Sequence, residues 1–318
     1  MQKRWTIKTS EEKNKIEQLS KLLNIDINIA QMLVFRGISS FEEAKNFFRP
    51  ELSLLHDPFL MKDMDKAIAR IEKAISRKEK IMIYGDYDVD GTSAVALVFS
   101  FFQSHFSQLA PHLSFYIPDR YAEGYGISFI GIDYAKENGT SLIIALDCGI
   151  KANDKIDYAN TKGIDFIICD HHTPGEKIPD AVAVLDPKRN DCGYPYKELS
   201  GCGIGFKLIQ AFAKKNIPGL FLEEYLDLVA ISIASDIVPV TGENRVLAYF
   251  GLKQINENPR KGIKALLGAA KFKKNELNIT DLVFVIGPRI NAAGRIEHGK
   301  KAVELLVSDD DSVAEIAG

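Results

Sequence analysis

The chain has 318 residues, 46% hydrophobic and 26% charged, with 40 basic against 43 acidic side chains and a net charge of -3. These values fit a globular chain of two domains or one large one, and they exclude a uniformly basic nucleic-acid binder while leaving local basic patches open. The longest apolar runs, 94–102 and 142–146, fall far short of the roughly 18 residues of a membrane span. Residues 1–8 lack the apolar core of a secretory signal, so a cytoplasmic location without a membrane is expected. Cys148, Cys169, Cys192 and Cys202 form no Cys-x-x-Cys pair and read as small core residues.

From about residue 11 to 48, apolar spacing at Ile16, Leu19, Leu22 and Leu23, and again at Ile29, Met32, Leu33 and Phe35, predicts helices punctuated by Gly37 and Pro50. A helix over about 64–78 carries Ile68, Ile71 and Ile75 on one face. Residues 1–78 therefore read as a helical N-terminal extension. Ile81-Met82-Ile83-Tyr84 is a short strand that leads into Asp86, Asp88 and Asp90, and 92–105 follows as an almost continuously apolar helix. In extended chain alternate side chains share a face, so the three carboxylates can converge on one point. Three like charges so close need a cation. A calcium loop of the EF-hand type would need Glu six residues after the Gly, where Leu97 stands. A solvated turn remains the bland alternative until the rest of the chain is considered.

Residues 113–117 predict a strand, and the loop over 118–126 places Arg120 where a ligand phosphate could be met. A helix over about 127–138 precedes a strand over 142–146 that closes on Asp147. After helix-compatible residues 151–162, a strand over 165–169 runs into Asp170-His171-His172, and one over 181–185 ends at Asp186. This alternation predicts an α/β class: a doubly wound, mainly parallel sheet with helices on both faces, spanning 79–240 and followed by a helical region over 241–318.

In such sheets ligands sit beyond the carboxyl ends of the strands, where Asp88, Asp90, Asp147, His171 and His172 all fall. A strand-end Asp is usually a cap, and a lone His is more often structural than a ligand. Their recurrence at three strand ends argues for a site. Carboxylates with an imidazole and no thiolate suit Mg²⁺ or Mn²⁺. Two such ions can clamp attacking and leaving oxygens in phosphoryl transfer and lower the pKa of a bound water, which points to phosphoester hydrolysis.

Gly201-Cys202-Gly203-Ile204-Gly205-Phe206 is no dinucleotide turn, because Phe206 stands where the third Gly should fall. It is predicted as a loop entering a helix over 206–215, with backbone N–H groups able to meet a phosphate or carboxylate. Lys253, Arg260, Lys261, Lys264, Lys271, Lys273 and Lys274 read either as a solvated helix surface or as a surface that could track a phosphate backbone.

Asp170-His171-His172 is the motif for which the DHH-superfamily phosphoesterases are named, and the chain resembles that superfamily. Segments 84–91, 119–126, 232–239 and 287–295 are similar to those of the RecJ branch, the single-strand-specific 5′-to-3′ DNA exonucleases, and 33–37 and 57–60 fit as well. Tyr84 stands where pyrophosphatases and small-oligonucleotide phosphodiesterases of the superfamily carry His, which favours the exonuclease branch.

The resemblance implies that Asp88, Asp90, Asp147, His171 and Asp236 hold two Mn²⁺ or Mg²⁺ ions, with Asp147 as the bridge. Catalytic support would come from Asp86 and Asp170, with His172 facing the substrate phosphate. Arg120, Arg289 and Arg295 would hold DNA phosphates, which a guanidinium meets bidentately. Also implied are release of 5′-mononucleotides from single-stranded DNA in repair and recombination, a monomer, and a helicase and a single-strand-binding protein as partners. RecJ-like chains continue into a second subdomain and an oligonucleotide-binding barrel, so 308–318, which reads as an unfinished helix, suggests a fragment with weakened DNA grip. The alternatives are a phosphodiesterase for short oligonucleotides or cyclic dinucleotides, and a non-catalytic DNA-binding relative.

Overall fold

Five strands, β1 (Lys80–Gly85), β2 (Leu113–Tyr116), β3 (Thr140–Leu146), β4 (Asp165–Cys169) and β5 (Ala183–Leu185), pair in parallel in the order β2-β1-β3-β4-β5. Parallel neighbours need crossovers, and α5 (Val89–His105), α6 (Phe129–Glu137) and α7 (Asn153–Thr161) supply them. The computed structural model describes residues 12–293 and 299–309. Alternate side chains along each strand face opposite ways. Met82, Tyr84, Ile143, Ala145, Phe166, Ile168 and Val184 meet α6 and α7 in one core. Ile81, Ile83, Leu142, Ile144, Ile167 and Leu185 are buried on the other side, where α4 (Met64–Ser76), α5 and α8 (Gly201–Asn216) pack. Both faces are covered, as a parallel sheet requires.

The turn from β1 into α5 is tight. A Cβ on Gly91 would lie 2.5 Å from the Asp86 carbonyl oxygen, so only glycine allows the helix to start so close to the strand end. Asp88 caps α5, its side chain accepting from the Gly91 N–H at 2.9 Å. α9 (Leu226–Ser235) packs on α5 and α8 and delivers Asp236 at its C-terminus. α10 (Gly242–Glu257), α11 (Lys261–Ala269), α12 (Ile279–Asp281), a π turn over Leu282–Ile286, α13 (Gly287–Ala293) and α14 (Gly299–Val307) complete the helical region. A fully buried pair, Lys207 Nζ to Glu243 Oε1 at 2.6 Å, joins α8 to α10. Tyr194 donates to the other Glu243 oxygen at 2.7 Å, so both are satisfied.

Contacts divide the chain into two units at Leu54 and Leu55, whereas the sequence reading draws its first boundary at 78. α4 packs against β5 and α8, so its apolar face belongs to the sheet. The N-terminal unit contains α1 (Lys13–Leu23), α2 (Ile27–Val34) and α3 (Phe41–Phe48) around Ile16, Leu19, Ala30, Leu33, Val34, Ile38 and Ala44. A capping box between Ser40 and Glu43 starts α3.

The four cysteines are free and buried, as expected of core residues. Among the described residues no helix is long and apolar enough to cross a membrane. α8 differs from its prediction: it begins at Gly201, not at 206, because Ser200 caps it and the Gly201 and Cys202 N–H groups are satisfied by a carboxylate. α14 ends at Val307, Ser308 and Asp309 are not helical, and the rest of the predicted terminal helix lies outside the described residues.

Candidate metal centre

The loops after β1, β3 and β4 and the end of α9 bring their carboxylates and imidazoles to the carboxyl edge of the sheet. Around His171 Nε2 stand Asp147 Oδ1 at 3.2 Å, Asp236 Oδ2 at 3.5 Å and Asp90 Oδ2 at 3.7 Å. Donor atoms on one octahedral cation at about 2.1 Å lie about 3 Å apart when adjacent. The Asp90, His171 and Asp236 ligand atoms, all within 4.8 Å of one another, therefore have about the spread of a single coordination sphere. Asp147, His171 and His172 form a second, overlapping group whose ligand atoms lie within 4.8 Å of one another. Asp147 Oδ1 and both ring nitrogens of His171 are buried without a hydrogen-bond partner, as is Asp86 Oδ2. Buried polar atoms rarely stay unsatisfied, and here Asp147 Oδ1 and His171 Nε2 face one another at 3.2 Å.

Charge makes the same case. Burial, and then the carboxylates of Asp90 and Asp88, hold the Asp147 carboxyl well above its usual range. Asp86 is pushed up to about 7 by burial and by Asp88. Asp236 reaches about 7 through dehydration in the cleft and the charges of Asp90 and Asp88. Asp88 is raised by burial and Asp90. Burial holds the His171 imidazole below its ordinary value, favouring the neutral form a metal requires. These residues fit a divalent cation, whose charge would allow all the carboxylates to ionise together.

The supporting contacts come from distant segments. Asp90 Oδ2 accepts from the Gly201 N–H at 2.8 Å, and its Oδ1 accepts from the Cys202 N–H and the Ser232 hydroxyl, both at 2.7 Å. The start of α8 thus meets a carboxylate of the protein itself. Asp170 Oδ1 accepts from the His171 and His172 N–H groups at 2.8 and 3.1 Å and pairs with His172 Nδ1 at 2.7 Å. Its Oδ2 accepts from the Ile150 N–H at 2.8 Å. Burial pushes Asp170 up, but the His172 bond and charge and these N–H donors outweigh it and leave the carboxyl below its usual range. The Asp170 hydrogen bond raises His172 in turn and fixes its ring.

Asp86 and Asp88 stand outside both ligand groups. Asp86 Oδ1 accepts from the Gly126 N–H at 3.5 Å, and Asp88 caps α5 through its Oδ1. The expected convergence of all three carboxylates from extended chain is therefore only partial, because Asp90 already lies in the first turn of α5. Arg120 stacks on Tyr87, its Cζ 5.0 Å from the ring centroid. Arg289 donates to the Val285 carbonyl of its own helical run at 2.8 Å, and the described contacts do not bring it to the cluster. Arg295 lies outside the described residues.

Three participants lack a role in the sequence reading. Tyr125 donates to the Asp147 carbonyl at 3.4 Å, and its hydroxyl lies 3.3 Å from His172 Nε2. Tyr84 donates to the Gly126 carbonyl at 3.0 Å and accepts from the Ser128 N–H, holding the loop that carries Tyr125. Ser232 stands one helical turn before Asp236, a spacing that could have signalled it.

A parallel sheet with this cluster at its carboxyl edge belongs to a known class. Residues 80–233 match the DHH family, N-terminal domain, and the chain carries that domain. It is 41% identical over 312 residues to the single-stranded-DNA-specific exonuclease RecJ of Bacillus subtilis, an alignment covering 98% of this chain and 38% of the relative. The chain thus spans well under half of that relative's length. The crystal structure of an exonuclease RecJ bound to manganese superposes with a TM-score of 0.73 at 31% identity, covering 84% of this chain and 65% of the other. RecJ of Thermus thermophilus in complex with Mn²⁺ gives 0.78 at 27% identity, over 96% of this chain and 43% of the other.

Proposed function

We propose that the chain is the metal-binding portion of a single-stranded-DNA-specific exonuclease that works from the 5′ end and releases 5′-mononucleotides in repair and recombination. The convergence of Asp90, Asp147 and Asp236 on His171 Nε2 carries this reading. Asp90, Asp147, His171 and Asp236 would hold Mn²⁺ or Mg²⁺, with Asp88 and Asp147 serving a second ion. When bound, such ions supply activation of a water and neutralisation of the phosphate.

The chain's own residues do the rest. Asp170 takes the Nδ1–H of His172 and favours its imidazolium form, whose Nε2–H can face a phosphate oxygen and donate to it. Tyr125 fixes the other side of that ring. Asp86 holds the Gly126 turn against the cluster. Arg120, and by resemblance Arg289 and Arg295, would contact phosphates. A helicase supplying single strands and a single-strand-binding protein are the partners this activity calls for, with the chain acting as a cytoplasmic monomer.

The test is release of label from 5′-labelled single-stranded DNA with Mn²⁺, Mg²⁺ or EDTA, beside a duplex control and Asp147→Ala. Cleavage that needs metal, spares duplex and vanishes in Asp147→Ala is expected. Cleavage in EDTA, or equal activity in Asp147→Ala, would contradict the reading.

A further inference from the structure

Asp236 ends α9, and the residue after it departs from what its side chain favours. Ile237 sits at φ +58°, a left-handed backbone that glycine takes freely and a β-branched residue avoids. Helices commonly stop on one left-handed residue, but that residue is usually glycine. Burial does not account for the isoleucine, because its side chain is 83% exposed. Pro239 favours extended backbone at Val238 and leaves Ile237 itself unconstrained. A strained turn of this kind persists only where its surroundings hold it.

The hold comes from two side chains on the Pro239 carbonyl. Asn244, fully buried in the first turn of α10, donates from Nδ2 to the Glu198 carbonyl and, at 3.1 Å, to that of Pro239. The Tyr196 hydroxyl donates to the same Pro239 oxygen at 3.1 Å and lies 3.2 Å from Thr241 Oγ1. A Cβ on Gly242 would lie 2.6 Å from Tyr196 Cε2, so the ring packs directly on the start of α10. That start is itself fixed, because Glu243 carries the buried pair with Lys207. We propose that Asn244 and Tyr196 are positioning residues for the metal centre: their hold on Pro239 keeps Ile237 left-handed, which stops α9 at Asp236 and keeps its carboxylate 3.5 Å from His171 Nε2. Released, Ile237 would relax to right-handed or extended backbone, and the end of α9 that carries Asp236 would lose its fixed direction. The inference rests on the proposed function for the role of Asp236 as a ligand.

The test measures Mn²⁺ affinity, by the electron paramagnetic resonance of the free ion, for the full chain, Asn244→Ala, Tyr196→Phe, each of the three again with Ile237→Gly, and Asp236→Ala, with circular dichroism checking the folds. Glycine keeps the left-handed turn without help, so Ile237→Gly alone should bind Mn²⁺ as the unaltered chain does. Asn244→Ala should lose affinity about tenfold and Tyr196→Phe several-fold, and adding Ile237→Gly should restore most of the loss in both. Should Asn244→Ala not fold, the Tyr196→Phe pair decides, since it removes one oxygen from a half-buried ring. Equal losses with and without Ile237→Gly would mark a merely structural role and overturn the proposal. Unchanged affinity in Asn244→Ala and Tyr196→Phe beside a loss in Asp236→Ala would also overturn it while leaving Asp236 a ligand. Mn²⁺ binding that survives Asp236→Ala would contradict the ligand set, and the positioning role with it.

Discussion

Asp147 combines two costly features: a backbone at φ +58°, uncommon for a residue with a side chain, and a buried carboxyl with one oxygen unpartnered. Such strain persists where the surroundings over-determine it, here through the Asp147 N–H donating to the Cys169 carbonyl at 2.8 Å. Asp147→Asn keeps the shape and removes the charge. It should lower metal-dependent cleavage on the order of 100-fold or more, beyond the loss from supporting residues, as read by initial rates at saturating Mn²⁺.

The same carboxylates set a pH dependence. In folded, EDTA-treated protein Asp86, Asp236 and the buried Asp186 keep protons up to about pH 7, whereas the unfolded chain releases them near about pH 4. The folded state binds more protons in that window, so stability falls as pH rises through it. His172, with a raised value, acts in the same direction, while His171, with a lowered one, opposes it below about pH 6.5. The melting temperature in EDTA should therefore drop from pH 5.5 to 8, and Mn²⁺ should restore more at pH 8. A rising curve in EDTA would contradict the electrostatic account.

At the scale of elements, the site depends on where α8 and α9 begin and end. A Cβ on Gly201 would lie 2.6 Å from Asp147 Cβ and Oδ1. Gly201→Ala should displace the Asp147 carboxylate and weaken Mn²⁺ binding about 10- to 100-fold while leaving the far-UV spectrum intact. Ser232→Ala removes one of the three donors on Asp90 and should cost about 1–3 kcal/mol, read by urea unfolding. An unchanged midpoint would show the bond to be dispensable.

Much of this was legible because strands and carboxylates follow one another directly in the chain. Runs such as Ile143-Ile144-Ala145-Leu146 and Phe166-Ile167-Ile168 announce parallel strands, and Asp147 and His171 mark the carboxyl edge of the sheet just after them. The start of α8 was not legible, because Gly201, Gly203 and Gly205 lower helix propensity and only the distant Asp90 satisfies the first turn. Tyr125 escaped for a similar reason, since its role depends on a loop held by Tyr84. Asp236 came from resemblance alone: nothing local marks the residue after an apolar helix as a neighbour of His171.

Across the whole molecule, the basic stretch of the helical region divides. Arg260 is partly buried and donates to both Asp227 oxygens at 2.6 and 2.7 Å, so it holds α11 to α9 instead of reaching into solvent. Lys274 pairs with Asp281 and Lys253 with Glu257. Lys264, Lys271 and Lys273 are exposed, and they are the lysines that a strand could reach. Replacing these three with Ala should reduce the salt slope of single-stranded DNA binding by about 0.7 for each phosphate no longer neutralised. An unchanged slope would assign them to solvent.

The central claim is that this carboxylate and imidazole cluster is a divalent-cation site, and titration with Mn²⁺ followed by the electron paramagnetic resonance of the free ion tests it most directly. Two ions per chain above pH 7, weakened in Asp147→Asn and in acid as protons compete, is the predicted result. Failure of the unaltered chain to bind Mn²⁺, or binding that Asp147→Asn leaves untouched, would contradict it.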